Sequence, residues 1–404
     1  MTTMIPIARP ALDADDTAAA ERAILSGWIS QGPEVAAFET EFAAFAGAPH
    51  ACAVMNCTAA LHLALLAVGV RADDEVITVS HSYIATANAI RFCGAWPVFI
   101  DIDPLTYNMN PAKVERAITA KTRAILCVHQ MGMPCELGAI LEIAWEHGVP
   151  VIEDAACAIG SEIWIDGEWQ RIGRPHGDVA CFSFHPRKVI TTGDGGMLTT
   201  ANVEWDRLFR LWRQHGMSVS DVVRHGSPQV TFENYPIVGY NYRMTDMQAA
   251  VGRNQLRRLP DLLTRRRRLA ERYRAFLNAI PGVSAPHEPQ WARSNWQSYC
   301  VRLPDGAEQR AIMQFMLDHG IATRRGIMCA HLERAYSQLD QRFLLTESET
   351  AHRNCILLPL YADMTDAEQR HVFEVFSGAC ERFVTNTASK TRNKPSPNRV
   401  AAAT

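Results

Sequence analysis

Two residues of the sequence have the types and spacing for covalent chemistry on a carbonyl compound. Lys188 lies in CFSFHPRKVITTGDGG, between an apolar run and a turn, and Asp154 ends the apolar run of VIEDAACAIG. Alone, Lys188 could be a surface strand residue and Asp154 a helix cap or turn residue. Together they match the needs of pyridoxal phosphate, whose aldehyde forms a Schiff base with a lysine. A carboxylate then keeps the pyridine nitrogen protonated, so that the ring can accept electrons.

The segments around these residues predict an α/β fold. Between residues 48 and 200, short apolar strands alternate with helical segments, which indicates a mostly parallel sheet covered by helices on both faces. Ligands bind at the carboxyl ends of strands in such sheets. The candidate residues that fall at strand ends are Asn56, Asp154, Ser183 and Lys188.

The rest of the chain predicts a second, smaller unit. A large cofactor-binding domain with an N-terminal arm is expected over residues 1–250. A long helix is expected from Thr245, with a break at Pro260. This connecting helix and a small C-terminal α/β domain should fill residues 251–384. The polar, proline-containing tail over residues 385–404 is typical of disorder.

Composition narrows the possible partners and the compartment. The 404 residues are 48% hydrophobic and carry a formal net charge of −3, so we expect neither a nucleic-acid nor a membrane partner. The N-terminal residues lack the pattern of a secretory signal and no apolar run is long enough for a membrane span, so we expect neither in this protein. Eleven cysteines without a CxxC pair indicate reduced thiols and a cytoplasmic protein, and the scattered histidines indicate no metal site.

Four blocks of the sequence resemble the DegT/StrS family of sugar aminotransferases. These are pyridoxal-phosphate enzymes of the aspartate aminotransferase fold, fold type I. The resemblance covers nearly the whole chain, from Gly27 to Gln369, and the blocks occur in family order. They are NCTAALHLAL, VIEDAACAIG, CFSFHPRKVITTGDGGM and GYNYRMTDMQAAVG.

The resemblance implies a role for each matched residue. Lys188 would be the Schiff-base lysine and the proton shuttle, and Asp154 the partner of the pyridine nitrogen. Tyr83, in SHSYIATANA, would stack on the face of the cofactor, although by itself it could be a core aromatic residue.

The phosphate of the cofactor would be bound by residues from several blocks. Cys57 and Thr58 would offer backbone N–H groups and a hydroxyl at the start of a helix, where anions are favoured. Ser183 would be a further phosphate ligand. Asn241 would reach the phosphate in the neighbouring subunit, which implies a homodimer with shared active sites.

Three residues depart from the family pattern. Cys57 is bulkier than the usual small residue, and Asp194 stands where glutamate is commoner. Cys157 occupies the place of a glutamine or histidine that bonds the phenolic oxygen of the cofactor. Because a thiol is a weak donor, this contact should be weaker or replaced, and Cys157 could simply be a small buried residue.

The resemblance implies transfer of an amino group from glutamate or glutamine to a keto group of a nucleotide-linked deoxysugar, with pyridoxamine phosphate as the intermediate cofactor form. A keto-cyclitol acceptor, a sugar dehydratase and a non-catalytic regulator with the same fold remain alternatives. Some dehydratases of this kind carry histidine in place of the lysine, so the presence of Lys188 argues against them. A non-catalytic regulator would be expected to have lost Lys188 or Asp154, and both are present. Residues that could contribute to the substrate pocket, or lie at the surface, are Arg324, Arg325 and His331.

Overall fold

A large sheet supports most of the candidate residues. The structure is a computed structural model that describes residues 4–219, 224 and 227–384. Its strands in chain order are β1 (His50–Val54), β2 (Glu75–Val79), β3 (Trp96–Ile100), β4 (Thr122–Val128), β5 (Val151–Asp154), β6 (Glu162–Ile165), β7 (Glu168–Arg171), β8 (Val179–Ser183), β9 (Gly196–Thr200), β10 (Ala292–Arg293), β11 (Tyr299–Arg302), β12 (Arg324–Arg325) and β13 (Cys355–Leu358).

The large sheet confirms the predicted α/β fold. Its strand order is β1-β9-β8-β5-β4-β2-β3, and β9 alone runs against the other six strands. Alternate residues of β4 belong to different buried clusters, Ile125 and Cys127 to one, Ala124 and Leu126 to the other. Both faces of the sheet are therefore buried, as in parallel sheets generally.

Helices supply the covering layers on both sides of this sheet and flank the smaller sheet. The helix α3 (Cys57–Ala67) packs on β8 and β9, while α9 (Gln309–Asp318) and α11 (Asp366–Phe383) pack on each other beside a smaller sheet. The helices are α1 (Ala14–Leu25), α2 (Pro33–Ala46), α3 (Cys57–Ala67), α4 (Ala85–Phe92), α5 (Pro111–Val114), α6 (Leu137–His147), α7 (Val203–Trp212), α8 (Asp246–Leu277), α9 (Gln309–Asp318), α10 (Thr346–Asn354) and α11 (Asp366–Phe383).

A smaller antiparallel sheet has the order β11-β13-β12 and a buried cluster of its own. The sequence predicts β11, β12 and their helices, but not the central strand β13. The CILL run of β13 follows directly on the helix α10 without an intervening turn residue, so no boundary signal marks it. The hairpin of β6 and β7 is likewise an element that the sequence analysis did not predict.

The predicted break at Pro260 is wrong. The helix α8 continues through Pro260 for 32 residues in all. A proline removes one backbone hydrogen bond from a helix. Leucines on both sides of it, among them Leu256, Leu259, Leu262 and Leu263, are buried, and their packing holds the helix together across that defect.

The domain division near residue 250 falls inside α8 and stays a prediction. The tail over residues 385–404 lies outside the described residues. None of the helices in the described ranges combines the length and the apolar character that crossing a bilayer requires.

One carboxylate joins the starts of two helices. Asp246, the first residue of α8, is fully buried, and its carboxylate accepts hydrogen bonds from the backbone N–H groups of Gly32 (2.7 Å), Glu34 (3.1 Å) and Val35 (3.0 Å). These groups lie at the start of α2, where an α-helix leaves its N–H groups without partners. The contact therefore fixes the N-terminal segment on the long helix.

Replacement of this carboxylate should cost much of the stability of the fold. We expect Asp246→Ala to lower the free energy of unfolding by about 3 kcal/mol or more, because it leaves three backbone donors unpaired. Denaturant unfolding followed by circular dichroism would measure the change. Asp261→Ala, at an exposed position of the same helix, is the control and should change stability by less than about 0.5 kcal/mol. Equal effects of the two substitutions would contradict this account.

Candidate active site

A cavity of about 670 Å³ lies between the carboxyl ends of the large sheet and the smaller sheet. This size lies in the range of sites for cofactors and small substrates. Seven of the predicted site residues line it together: Cys57, Thr58, Tyr83, Asp154, Cys157, Ser183 and Lys188.

Lys188 lies in the loop that follows β8. Its backbone N–H donates to the carbonyl of His185 at 2.8 Å, and its Nζ donates to Cys157 Sγ at 3.0 Å. Burial lowers the pKa of Lys188, but contact with Cys157 and the charge of Asp154 outweigh burial and raise the pKa above the ordinary value. The amino group is thus held in place by a neighbouring thiol.

Asp154 ends β5 and is only 5% exposed. Its Oδ2 accepts a hydrogen bond from Thr86 Oγ1 at 2.8 Å, and its Oδ1 accepts one from the N–H of Ala156 at 3.2 Å. Burial raises the pKa of Asp154, while these two donors and the charge of Lys188 act in the opposite direction. The hydrogen bonds favour the ionised carboxylate in an environment that otherwise disfavours charge.

Thr86 is a site residue that the sequence analysis missed. It lies three residues after Tyr83 in SHSYIATANA, at the start of α4, and Ser82 Oγ is 2.9 Å from its hydroxyl. Tyr83 precedes α4, and the N–H of Thr86 donates to the carbonyl oxygen of Tyr83 at 3.2 Å, so the two residues belong to one turn. The local signal in the sequence was therefore the position of Thr86 in the same block as Tyr83.

The start of α3 forms one wall of the cavity. The Asn56 side chain accepts from the N–H of Ala59 at 2.9 Å, which caps the helix. Cys57 and Thr58 are the first two helical residues, whose N–H groups no helix can satisfy internally. A Cβ at Gly196 would lie 2.5 Å from the carbonyl carbon of Asn56, so glycine allows β9 to lie against this turn.

Cys57 fits its position in spite of its size. The side chain is buried, and Sγ contacts the carbonyl oxygen of Cys181 at 3.6 Å. Ser183 ends β8 beside it, and Ser183 Oγ accepts a weak hydrogen bond from the N–H of His185 at 3.4 Å. The extra bulk of Cys57 is therefore accommodated in the core of the sheet.

The remaining candidates occupy different surroundings. Tyr83 lines the cavity and is 65% exposed. Asn241 is exposed and does not line the cavity of its own chain. Arg324 and Arg325 line the cavity, whereas His331 does not, since its Nδ1 is bonded to Ser80 Oγ at 2.6 Å.

Other residues that line the cavity were not predicted, because no motif in the sequence marks them as site residues. Gln297 and Ser298 come from the segment before β11, and Gln297 Nε2 donates to the carbonyl oxygen of Arg187 at 2.9 Å. Gln130 lies in a turn after β4. These residues reach the cavity through tertiary packing, which spacing along the chain does not reveal.

Comparison with known proteins shows consistent similarity over the whole fold. The chain is 37% identical over 379 residues to the spore coat polysaccharide biosynthesis protein SpsC of Bacillus subtilis, covering 92% of this chain and 95% of SpsC. The sugar aminotransferase Spr1654 of Streptococcus pneumoniae, solved in its PMP form, has a TM-score of 0.86 at 27% identity, with 94% of this chain and 99% of that chain covered. DesI, solved in the presence of its TDP-sugar product, has a TM-score of 0.84 at 30% identity, with 95% and 94% covered.

A family model matches almost the same extent of the chain as the blocks found in the sequence. It describes the DegT/DnrJ/EryC1/StrS aminotransferase family and matches residues 10–377. The motif blocks, the cavity at the strand ends and the match in fold agree with one another. The chain therefore belongs to the DegT/DnrJ/EryC1/StrS aminotransferase family.

Proposed function

We propose that this aminotransferase transfers an amino group from glutamate or glutamine to a keto group of a nucleotide-linked deoxysugar, with pyridoxal phosphate as cofactor. The observation that carries the proposal is the convergence of Lys188 Nζ, the buried carboxylate of Asp154 and the start of α3 on one cavity. These are an amine, a carboxylate and an anion site, the three groups that this cofactor requires.

The residues of the cavity fit the cofactor at each of its ends. The N–H groups of Cys57 and Thr58, with Ser183, would hold the phosphate, and the ionised Asp154 would face the pyridine nitrogen. Tyr83 would cover one face of the ring. When bound, the cofactor supplies an electron sink that stabilises negative charge on the substrate carbon.

The protein itself supplies proton transfer and orientation. Lys188 Nζ, which lines the cavity, would accept the proton that leaves the substrate carbon bearing the amino group and return it on the other side of the nitrogen, as the 1,3-shift of transamination requires. Cys157 Sγ, at 3.0 Å, accepts a hydrogen bond from Nζ and directs it. Because a thiol accepts hydrogen bonds weakly, it can hold the amine without preventing its movement.

The acceptor is proposed from the size and charge of the cavity. A volume of about 670 Å³ leaves space beyond the cofactor for a second molecule. Its lining includes Arg187, Arg324 and Arg325 as well as Lys188, which favours an acceptor with phosphate groups. A nucleotide-linked sugar carries such groups, and its keto group would accept the amine.

We also propose that the enzyme acts in the cytoplasm. All eleven cysteines lie in the described part of the chain and are free thiols. Cys57 and Cys157 are among the residues that line the cavity. Reduced thiols at these positions suit a reducing compartment.

We propose that two copies of the chain share their active sites. The segment of residues 227–242 exposes Val230 (86%), Phe232 (87%) and Val238 (88%), and Asn241 in the same segment is exposed as well. Exposed apolar side chains in one segment are typical of a surface that another protein covers. A second copy would cover it and receive Asn241 near its phosphate site.

The assignment of Lys188 can be tested by covalent labelling. Borohydride reduction of the loaded protein should attach one phosphopyridoxyl group to the peptide that contains Lys188, as measured by mass spectrometry. Lys188→Ala should abolish this label, whereas Lys113→Ala, at an exposed position, should retain it. Prior incubation with glutamate should prevent labelling, since transfer of the amino group leaves no aldehyde to attach. A label on another lysine, or no protection by either glutamate or glutamine, would refute the proposal.

Thr86→Val should shift the pH dependence of the reaction. The substitution removes the hydroxyl donor, so the pKa of Asp154 should rise further. Asp154 then becomes protonated at a higher pH and can no longer favour a protonated pyridine. The acidic limb of the pH–rate profile for the half-reaction with glutamate should therefore move to higher pH. Thr86→Ser, which keeps the hydroxyl, should restore the wild-type profile, and identical limbs for Val and wild type would count against this role of Thr86.

Shared active sites predict complementation between two inactive variants. Lys188→Ala and Asn241→Ala should each be inactive or strongly impaired as homodimers. A mixed dimer contains one site with both native residues if Asn241 acts in the neighbouring subunit, so equal mixing should restore roughly a quarter of wild-type activity. The mixture would be assayed after co-expression with two different affinity tags. Activity no greater than that of the separate variants would show that Asn241 does not act across the interface.

A further inference from the structure

Two arginines face the cavity without a carboxylate partner. Arg187 immediately precedes Lys188, and Arg324 is the first residue of β12. The carboxylate side chains that line this cavity belong to Asp154 and Asp194. Within the described ranges, neither guanidinium group forms an ion pair or a hydrogen bond with these or with any other residue.

Other arginines in the described ranges form ion pairs with glutamates. Arg213 is paired with Glu39 inside the core, and Arg253 is paired with both Glu34 (2.8 Å) and Glu41 (2.6 Å). Partly or fully buried charges normally acquire such partners. Arg187 is half-buried and Arg324 is exposed, and neither has an internal counter-charge in a cavity where a ligand could supply one.

The two guanidinium groups also influence each other. Burial and the charge of Arg187 lower the pKa of Arg324. Like charges that face one cavity raise its electrostatic potential, and low-dielectric walls concentrate the effect. An anion placed between them would relieve this repulsion.

The backbone of each arginine is fixed independently of any ligand. The carbonyl oxygen of Arg187 accepts from Gln297 Nε2 at 2.9 Å, and the N–H of Arg187 donates to His185 Nδ1 at 3.2 Å. Arg324 is paired with Leu357 in the smaller sheet. Both side chains start from positioned backbone, which reduces the ordering that a ligand must impose.

We propose that Arg187 and Arg324 together form an anion-binding site for the substrate, which takes a carboxylate or phosphate group. The inference rests on the proposed function, because the donor and the acceptor must occupy the same cavity in turn. Guanidinium groups bind both kinds of anion through paired hydrogen bonds. Arg187 comes from the loop of Lys188 and Arg324 from the smaller sheet, so one bound anion would connect the two parts of the site.

Binding of two unreactive probes would test this site. Glutarate represents the carboxylates of the donor, and inorganic pyrophosphate represents the phosphates of a nucleotide. Isothermal titration of the cofactor-loaded protein would measure their affinities for wild type, Arg187→Gln and Arg324→Gln. Each substitution should weaken binding of at least one probe by about tenfold to a hundredfold, since it removes charge-assisted hydrogen bonds.

Control variants separate local from general effects. Arg187→Lys and Arg324→Lys keep the charge and should retain more affinity than the glutamine variants. Arg116→Gln removes the same charge at an exposed position outside the cavity and should bind both probes as wild type does. Unchanged labelling of Lys188 and an unchanged circular dichroism spectrum would show that each variant is folded and loaded.

The outcomes distinguish the source of the anion. Weaker binding of glutarate alone assigns the site to the donor, weaker binding of pyrophosphate alone assigns it to the nucleotide, and weaker binding of both assigns it to the two substrates in turn. Wild-type protein that binds neither probe, or glutamine variants that bind both unchanged, would overturn the inference. Failure of both glutamate and glutamine to protect wild-type Lys188 from labelling would instead refute the proposed function, independently of these affinities.

Discussion

The geometry of the site depends on the parallel pairing of β5 with β8. In this register Asp154 lies beside Cys181, so the strands end at the same edge of the sheet and the chain after β8 turns back over it. Asp154 and Lys188 are thus brought to one cavity by backbone hydrogen bonds rather than by direct contact between their side chains. A shift of one residue in this pairing would direct Asp154 to the opposite face.

The site combines burial with a small number of well-placed donors. Asp154 lies in an environment that disfavours its charge, and Thr86 and Ala156 provide the hydrogen bonds that support it. Lys188 Nζ contacts the thiol of Cys157, a weak hydrogen-bonding group, at 3.0 Å. Local donors thus favour the charged form of the carboxylate against the effect of burial, while the amine is only weakly restrained.

The sequence predicted the site best at positions where the chemistry requires one particular type of residue. Lys188, Asp154 and Ser183 stand at strand ends, and periodicity together with the family blocks predicts that they meet. Thr86 escaped notice because its role depends on a contact with Asp154, 68 residues away in sequence. The strand β13 was missed because a four-residue apolar run has little local signal, and the break at Pro260 was predicted because the packing of neighbouring leucines is not visible in one sequence.

The contact between Gly32 and Asp246 has a consequence for how this chain can vary. These residues are 214 positions apart, yet a Cβ at Gly32 would lie 2.5 Å from Asp246 Oδ2. Any side chain at position 32 would displace the carboxylate that orders the start of α2. The two positions should therefore evolve together. A side chain at position 32 should be retained in related sequences only when position 246 has changed as well.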